Sequence, residues 1–284
     1  MNVDHFFSIG QTHVKEGVPC EDYAASGILP GLAFGAVADG CSGAHARTDI
    51  GARVIVTAFE RSMRLLSPSD STAWFDTDMM QRLEMEFSRT RITDGLDDYF
   101  ATLVAFIANR DTAKIMVFGD GGYILRYRDG SKKIVWFEWR GNAPYYMAYR
   151  LDEAAGKKYI DEFLKEDGDQ LVIENWITFR DIESGSTEII DSGTKQHPFS
   201  AFSAGYVCEI QHREQAIEAI AVVSDGVATF KGAALHDVVK RLMAFKTTAG
   251  AFVKRRCIRI LSESTKENHL PADDFSISCV WFPN

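Results

Sequence analysis

Two short stretches constrain this chain more than any other feature. Leu32–Ala38 and Ala219–Val223 carry no polar side chain. A strand with one wet face alternates apolar and polar residues, whereas an apolar run without alternation is buried on both faces. Two such strands require layers above and below a sheet. Each stretch then stops on an acid followed by glycine, at Asp39-Gly40 and Asp225-Gly226.

The remaining periodicity fills in those layers. Ala44–Leu66 has helical spacing, with Ile50, Val54 and Ala58 four apart. A second helix is expected over Thr77–Arg89, after the Ser/Asp-rich break that starts at Ser67. The period then shortens. Strands are expected at Tyr99–Ala108, Lys114–Phe118, Tyr123–Tyr127 and Ile134–Trp139, joined by turns at Asn109-Arg110-Asp111 and Asp129-Gly130. Such short connections make antiparallel neighbours. Residues 141–213 read as a partly irregular insertion, with short strands near Gln170–Ile173 and Glu188–Ile190. Helices follow the second buried strand at Ala233–Phe245 and Ala249–Ser264, and Phe275–Phe282 is the last strand. Paired helices between runs of antiparallel strands give an α+β fold with sheets inside and helices outside.

Asp-Gly occurs six times. At Asp94, Asp129 and Asp167 a turn explains it. Asp39, Asp120 and Asp225 each end an apolar strand, where a carboxylate loses water on one side and needs a cation or a donor. Glu21-Asp22 precedes the first buried strand, and Asp273-Asp274 precedes the last. Where these ends converge, all-oxygen ligation favours a hard cation: Mg²⁺, Mn²⁺ or Ca²⁺.

The formal charge of −9, from 31 Lys+Arg and 40 Asp+Glu, argues against nucleic acid as a partner. The start at Met1-Asn2-Val3-Asp4-His5 lacks a basic, then apolar leader, and no early segment is long enough to span a bilayer. Five widely spaced cysteines without a Cys-x-x-Cys pair fit a reducing cytoplasm and no membrane.

In order, Cys20-Glu21-Asp22, Ala38-Asp39-Gly40-x-x-Gly43, Ala101-Thr102-Leu103, Phe118-Gly119-Asp120, Val223-Ser224-Asp225-Gly226 and Asp273-Asp274-Phe275-Ser276 cover nearly the whole chain. Together they resemble the motifs of the metal-dependent serine/threonine protein phosphatases, type 2C, in a compact bacterial-like form. The resemblance implies a four-layer α/β/β/α sandwich of two antiparallel sheets flanked by helix pairs, and one phosphatase domain over 1–284. It implies a binuclear Mn²⁺ or Mg²⁺ site that activates a bridging hydroxide against phosphoserine and phosphothreonine. Asp39 would bridge both ions, with the Gly40 carbonyl on one. Glu21 would hold the second ion, and Asp225 and Asp273 the first. Asp120, with Asp225, would hold a third. Asp22 and Asp274 would support these ligands, and Thr102 would be structural. The implied partner is a phosphoprotein, opposite a Ser/Thr kinase, with the enzyme as a monomer.

Two positions depart from the family pattern. Gly17 stands where many members carry a phosphate-holding arginine, so His13 or Lys15 is the candidate for that charge. Cys41 stands where many members have a histidine, so the leaving-group acid falls to His45 or a metal-bound water. These departures also motivate an alternative, a non-catalytic regulatory or binding module on the same fold. Lastly, the aromatics of Arg140–Tyr149, with Trp136 and Trp139, are read as sheet cover.

Overall fold

The computed structural model describes residues 1–41, 48–66, 77–92, 95–164, 170–182, 186–267 and 269–283. Five strands, β1 (Asn2–Ser8), β2 (Tyr23–Leu29), β3 (Leu32–Ala38), β4 (Leu103–Ala108) and β5 (Ala113–Phe118), lie before or within the first antiparallel run. β6 (Gly121–Tyr127), β7 (Lys132–Trp139), β8 (Gln170–Asp181) and β9 (Thr187–Pro198) continue it, followed by β10 (Tyr206–Ile210), β11 (Ile217–Val223) and β12 (Phe275–Trp281). The helices are α1 (Gln11–Glu16), α2 (Thr48–Arg64), α3 (Thr77–Thr90), α4 (Glu153–Phe163), α5 (Leu235–Leu242) and α6 (Phe252–Glu267). Among the described residues no helix is long and apolar enough to cross a membrane.

The strands form a seven-stranded sheet, ordered β1-β12-β11-β6-β7-β8-β9, and a five-stranded sheet, ordered β10-β5-β4-β3-β2. All neighbours pair antiparallel. Three apolar layers hold the stack together. One lies between α2/α3 and the five-stranded sheet, one between the sheets, and one between the seven-stranded sheet and α5/α6. The expected four-layer sandwich is therefore present.

The layers explain the unbroken apolar runs. In β3, Phe34, Ala36 and Ala38 point at the helices, while Ala33 and Val37 point at the other sheet. In β11, Ala219, Ala221 and Val223 face α5/α6, and Ile220 and Val222 face the five-stranded sheet. Burial on both faces removes the need for alternation.

Several boundaries differ from expectation. Tyr99 closes a 3₁₀ turn over Leu96–Tyr99, and the strand begins at Leu103. The expected helix start at Ala44 lies outside the described residues, and the helix is described from Thr48. The stretch 141–213 contains more regular structure than the sequence pattern shows. It supplies α4, the twelve-residue strands β8 and β9 at one edge of the large sheet, and β10 at one edge of the small one.

Candidate active site

Antiparallel register brings the acidic strand ends together. Tyr23 pairs with Ala38, so Glu21-Asp22 enters β2 beside the point where β3 leaves for Asp39. The Gly40 N–H donates to the Glu21 carbonyl at 3.2 Å. In the other sheet Val223 pairs with both Ile277 and Gly122. The end of β11 (Asp225) therefore meets the starts of β12 (after Asp273-Asp274) and β6 (after Asp120).

Hydrogen bonds then tie the two sheets at this edge. Ser224 Oγ donates to Asp22 Oδ2 at 2.6 Å and accepts from the Ser276 N–H at 2.8 Å. Asp274 accepts the N–H groups of Gly10 at 2.6 Å and Glu21 at 2.5 Å. Thr102 Oγ1 accepts the Asp39 N–H at 3.0 Å, and the Thr102 N–H donates to the Asp39 carbonyl at 2.8 Å. Thr229 Oγ1 accepts the Asp273 N–H at 3.1 Å and donates to the Gly226 carbonyl at 2.8 Å. Glycine at 226 is a steric necessity, because a Cβ there would lie 1.6 Å from the Asp274 carbonyl oxygen.

Charge, however, is left uncompensated. Asp39 faces Asp22 and Asp225 closely enough that each acts on the others' protonation. Burial, then the charges of Asp22 and Asp225, push the Asp39 carboxyl well above its ordinary range. Burial pushes Asp22 up to about 7, against the pull of its bond from Ser224. Burial and Asp225 push Asp120 up to about 7, and burial and Asp273 raise Asp225. Oδ1 of Asp22 and Oδ1 of Asp225 are buried and, among the described residues, meet no hydrogen-bond donor. A buried anionic oxygen without a donor costs several kcal/mol unless the group is protonated or a cation meets it. The donor set, carboxylates and the Gly40 backbone, suits a hard divalent ion.

A second grouping lies at the rim, where His13, Asp273 and Asp274 offer ligand atoms within 4.8 Å of one another. We read its His13–Asp274 pair as structural. His13 Nδ1 is 2.9 Å from Asp274 Oδ2, and both Asp274 oxygens already accept backbone N–H groups. His13 Nε2 stands 3.8 Å from Glu21 Oε2. Burial opposes charge on this ring, but Asp274 outweighs it and raises the His13 pKa. His13 is thus tied to the acidic pair and is 7% exposed, not open to a substrate phosphate. Lys15 is exposed on a separate cavity of about 270 Å³, between α1 and Pro271. His45 lies outside the described residues.

A cavity of about 360 Å³ opens onto Asp120 and Asp225, walled by Trp136, Glu138, Trp139 and Thr229. Trp139 is held by its indole N–H, which donates to the Gly119 carbonyl at 2.8 Å. The aromatics at 145–149 do cover the sheet, with Tyr145, Tyr146 and Met147 buried. Tyr146 also reaches Cys41. Thr229 and Glu138 carry no sequence signal of a role here, since the Thr229 hydroxyl acts only at a tertiary contact and Glu138 is met only as cavity wall.

The profile described as protein phosphatase 2C matches residues 9–271. The chain belongs to that family. Among solved structures, it resembles the serine/threonine phosphatase Stp1 of Staphylococcus aureus at 11% identity and a TM-score of 0.56, over 100% of this chain and 96% of that one. The S. agalactiae serine/threonine phosphatase aligns at 12% identity and a TM-score of 0.51, over 99% of each chain. A bacterial serine phosphatase aligns at 11% identity and a TM-score of 0.55, over 100% of this chain and 98% of that one. At such identities the structural likeness speaks for the fold alone. No curated protein matches the chain by sequence.

Proposed function

We propose that this chain hydrolyses phosphoserine and phosphothreonine monoesters on proteins, opposite a Ser/Thr kinase, with two Mn²⁺ or Mg²⁺ ions at the acidic edge. The observation that carries this reading is the gathering of Asp22, Asp39 and Asp225, with buried carboxylate oxygens that no donor among the described residues meets. Asp39 would hold both ions and the Gly40 carbonyl one of them, with Glu21 on the second ion and Asp225 with Asp273 on the first. Asp120 and Asp225 would hold a third. Bound there, divalent ions lower the pKa of water and neutralise charge on phosphoryl oxygens.

The rest is work for the chain's own groups. Asp22, bonded by Ser224, braces Asp39 from behind. Asp274 fixes the backbone of Glu21 and, through His13, its surroundings. Thr102 clamps Asp39 from both sides of its peptide, and Thr229 does the same for the Gly226–Asp273 corner. Trp136 and Trp139 limit water at the cavity wall. All five cysteines are free, which suits a reducing compartment.

The test is phosphate release from a phosphothreonine peptide and from p-nitrophenyl phosphate, with Mn²⁺ and with EDTA. Release with Mn²⁺ that EDTA abolishes is expected; no release with Mn²⁺, or release indifferent to EDTA, overturns the reading. One observation favours a non-catalytic module: no lysine or arginine lines the cavity among the described residues. Two divalent sites by calorimetry, together with turnover, exclude that alternative. Two sites without turnover establish it.

A further inference from the structure

The last helix carries an unusual charge pattern for an acidic protein. Phe252, Arg255, Arg256 and Arg259 fall on one face of α6, at the i, i+3, i+4, i+7 spacing that puts side chains side by side. Like charges at these spacings destabilise a helix. The first turn holds no acid, the reverse of the charge order that a helix dipole favours. Several arginines elsewhere find carboxylates: Arg150 meets Glu84 at 2.6 Å, Arg180 meets Glu188 at 2.6 Å and Arg213 meets Asp111 at 2.8 Å. Among the described residues, no carboxylate comes within ion-pair distance of Lys246, Arg255, Arg256 or Arg259. Glu263, the acid that acts on Arg256, is itself 3.4 Å from Arg241.

These four cations share one cavity of about 230 Å³, lined also by Thr247, Phe245 and Phe252. Its walls are set in place. Arg256 Nε donates to the Arg241 carbonyl, and Arg255 Nη2 to the Ala249 carbonyl at 2.7 Å. Phe245 packs edge-on against Phe252 at 4.9 Å and against Trp281 at 6.4 Å. Trp281 is the far end of β12, whose near end is Phe275 beside Asp274. Seven residues of strand put the cavity about 20 Å from the acidic edge.

We infer that this cavity is an anion site for a phosphate-type oxyanion, separate from the metal edge. Fixed guanidinium groups with a neighbouring ammonium are the chemistry that recognises phosphate. The volume is below the roughly 300 Å³ at which pockets for drug-sized ligands begin, so it takes a single phosphoryl group and not a whole nucleotide. That group comes either as free phosphate or displayed on a phosphorylated polypeptide.

The test is inorganic phosphate titrated by calorimetry into the full chain with Mg²⁺, at low salt. Asp39→Asn protein should retain one phosphate site, because that substitution impairs only the metal edge. Arg255→Glu/Arg259→Glu should weaken this site by about tenfold or more, and Arg255→Gln/Arg259→Gln by less, with p-nitrophenyl phosphate turnover unchanged. Both residues are exposed, and circular dichroism should match the wild type. Absence of phosphate binding to the Asp39→Asn protein overturns the inference, as does equal binding by the charge-reversed protein. The source is then read from phosphoserine peptides. Tighter binding of a doubly than a singly phosphorylated peptide, lost on charge reversal, assigns a phosphoprotein; equal binding assigns free phosphate.

Discussion

The two ends of β12 carry opposite electrostatic problems. At Phe275 the neighbours are carboxylates that touch one another inside the protein, and at Trp281 they are cations gathered round an open cavity. The difference is solvent. Water screens the exposed arginines, so their mutual repulsion costs tenths of a kcal/mol. Water cannot reach the Oδ1 atoms of Asp22 and Asp225, so lost hydration first and the neighbouring carboxylates second raise both pKa values. Substitutions at the two ends should therefore differ in effect by about an order of magnitude.

The largest effect is expected from Asp39→Asn. Turnover of a phosphothreonine peptide with Mn²⁺ should fall by about three orders of magnitude or more, with native circular dichroism. Without metal, this variant should melt above the wild type, because a repelled carboxylate has gone. A loss of less than tenfold would separate Asp39 from the chemistry. Asp274→Ala comes next. It leaves the Gly10 and Glu21 N–H groups and His13 without their buried acceptor, and should cost about 4 kcal/mol by urea unfolding. Gly226→Ala should cost about 3 kcal/mol in the same assay, since the Asp274 backbone must move away.

Smaller and diagnostic is pH. The folded chain holds protons on Asp22 and Asp120 up to about pH 7, whereas the unfolded chain releases them near 4. Between those values the folded state binds more protons, so stability is greatest below pH 4 for these groups and is lost as pH rises through 7. The metal-free protein should thus lose about 1 kcal/mol per pH unit for each of these groups across that window, and saturating Mg²⁺ should flatten the slope. A metal-free melting temperature that rises from pH 5 to 8 would contradict the buried acids. The smallest effect belongs to the far end. Arg259→Gln, in low salt without phosphate, should stabilise by about 0.5 kcal/mol through relief of Arg255 and Arg256.

How much was legible followed burial. β3 runs from Leu32 to Ala38 as the apolar pattern indicates, because both of its faces are covered and every side chain reports it. β7 and β12 are close to expectation for the same reason. β1 has no apolar run, since every residue of this edge strand is only partly buried. β9 is exposed at Glu188–Ser192, so its pairing with β8 is set by backbone hydrogen bonds that leave little trace in side-chain type. The acids at the strand ends were legible from Asp-Gly after apolar runs, and their meeting followed from antiparallel register. The turning of His13 toward Asp274 was not, because α1 is one short helix whose orientation is fixed by contacts with residues 271–274. The cationic face of α6 is spelled out in Lys254-Arg255-Arg256 and Arg259, but its lack of acidic partners is a property of the folded surroundings.

β12 has one further consequence. Its flanks set acids at one pole and cations at the other, a local dipole along the strand. A phosphorylated chain that diffuses toward it is turned away from the bare acidic pole and drawn toward α6, within the roughly 8 Å over which physiological salt lets charge be felt. Divalent ions held at the acidic pole would offset its negative charge and shrink that dipole. Metal loading would then change which face of the protein a phosphate first encounters, before any bond is broken.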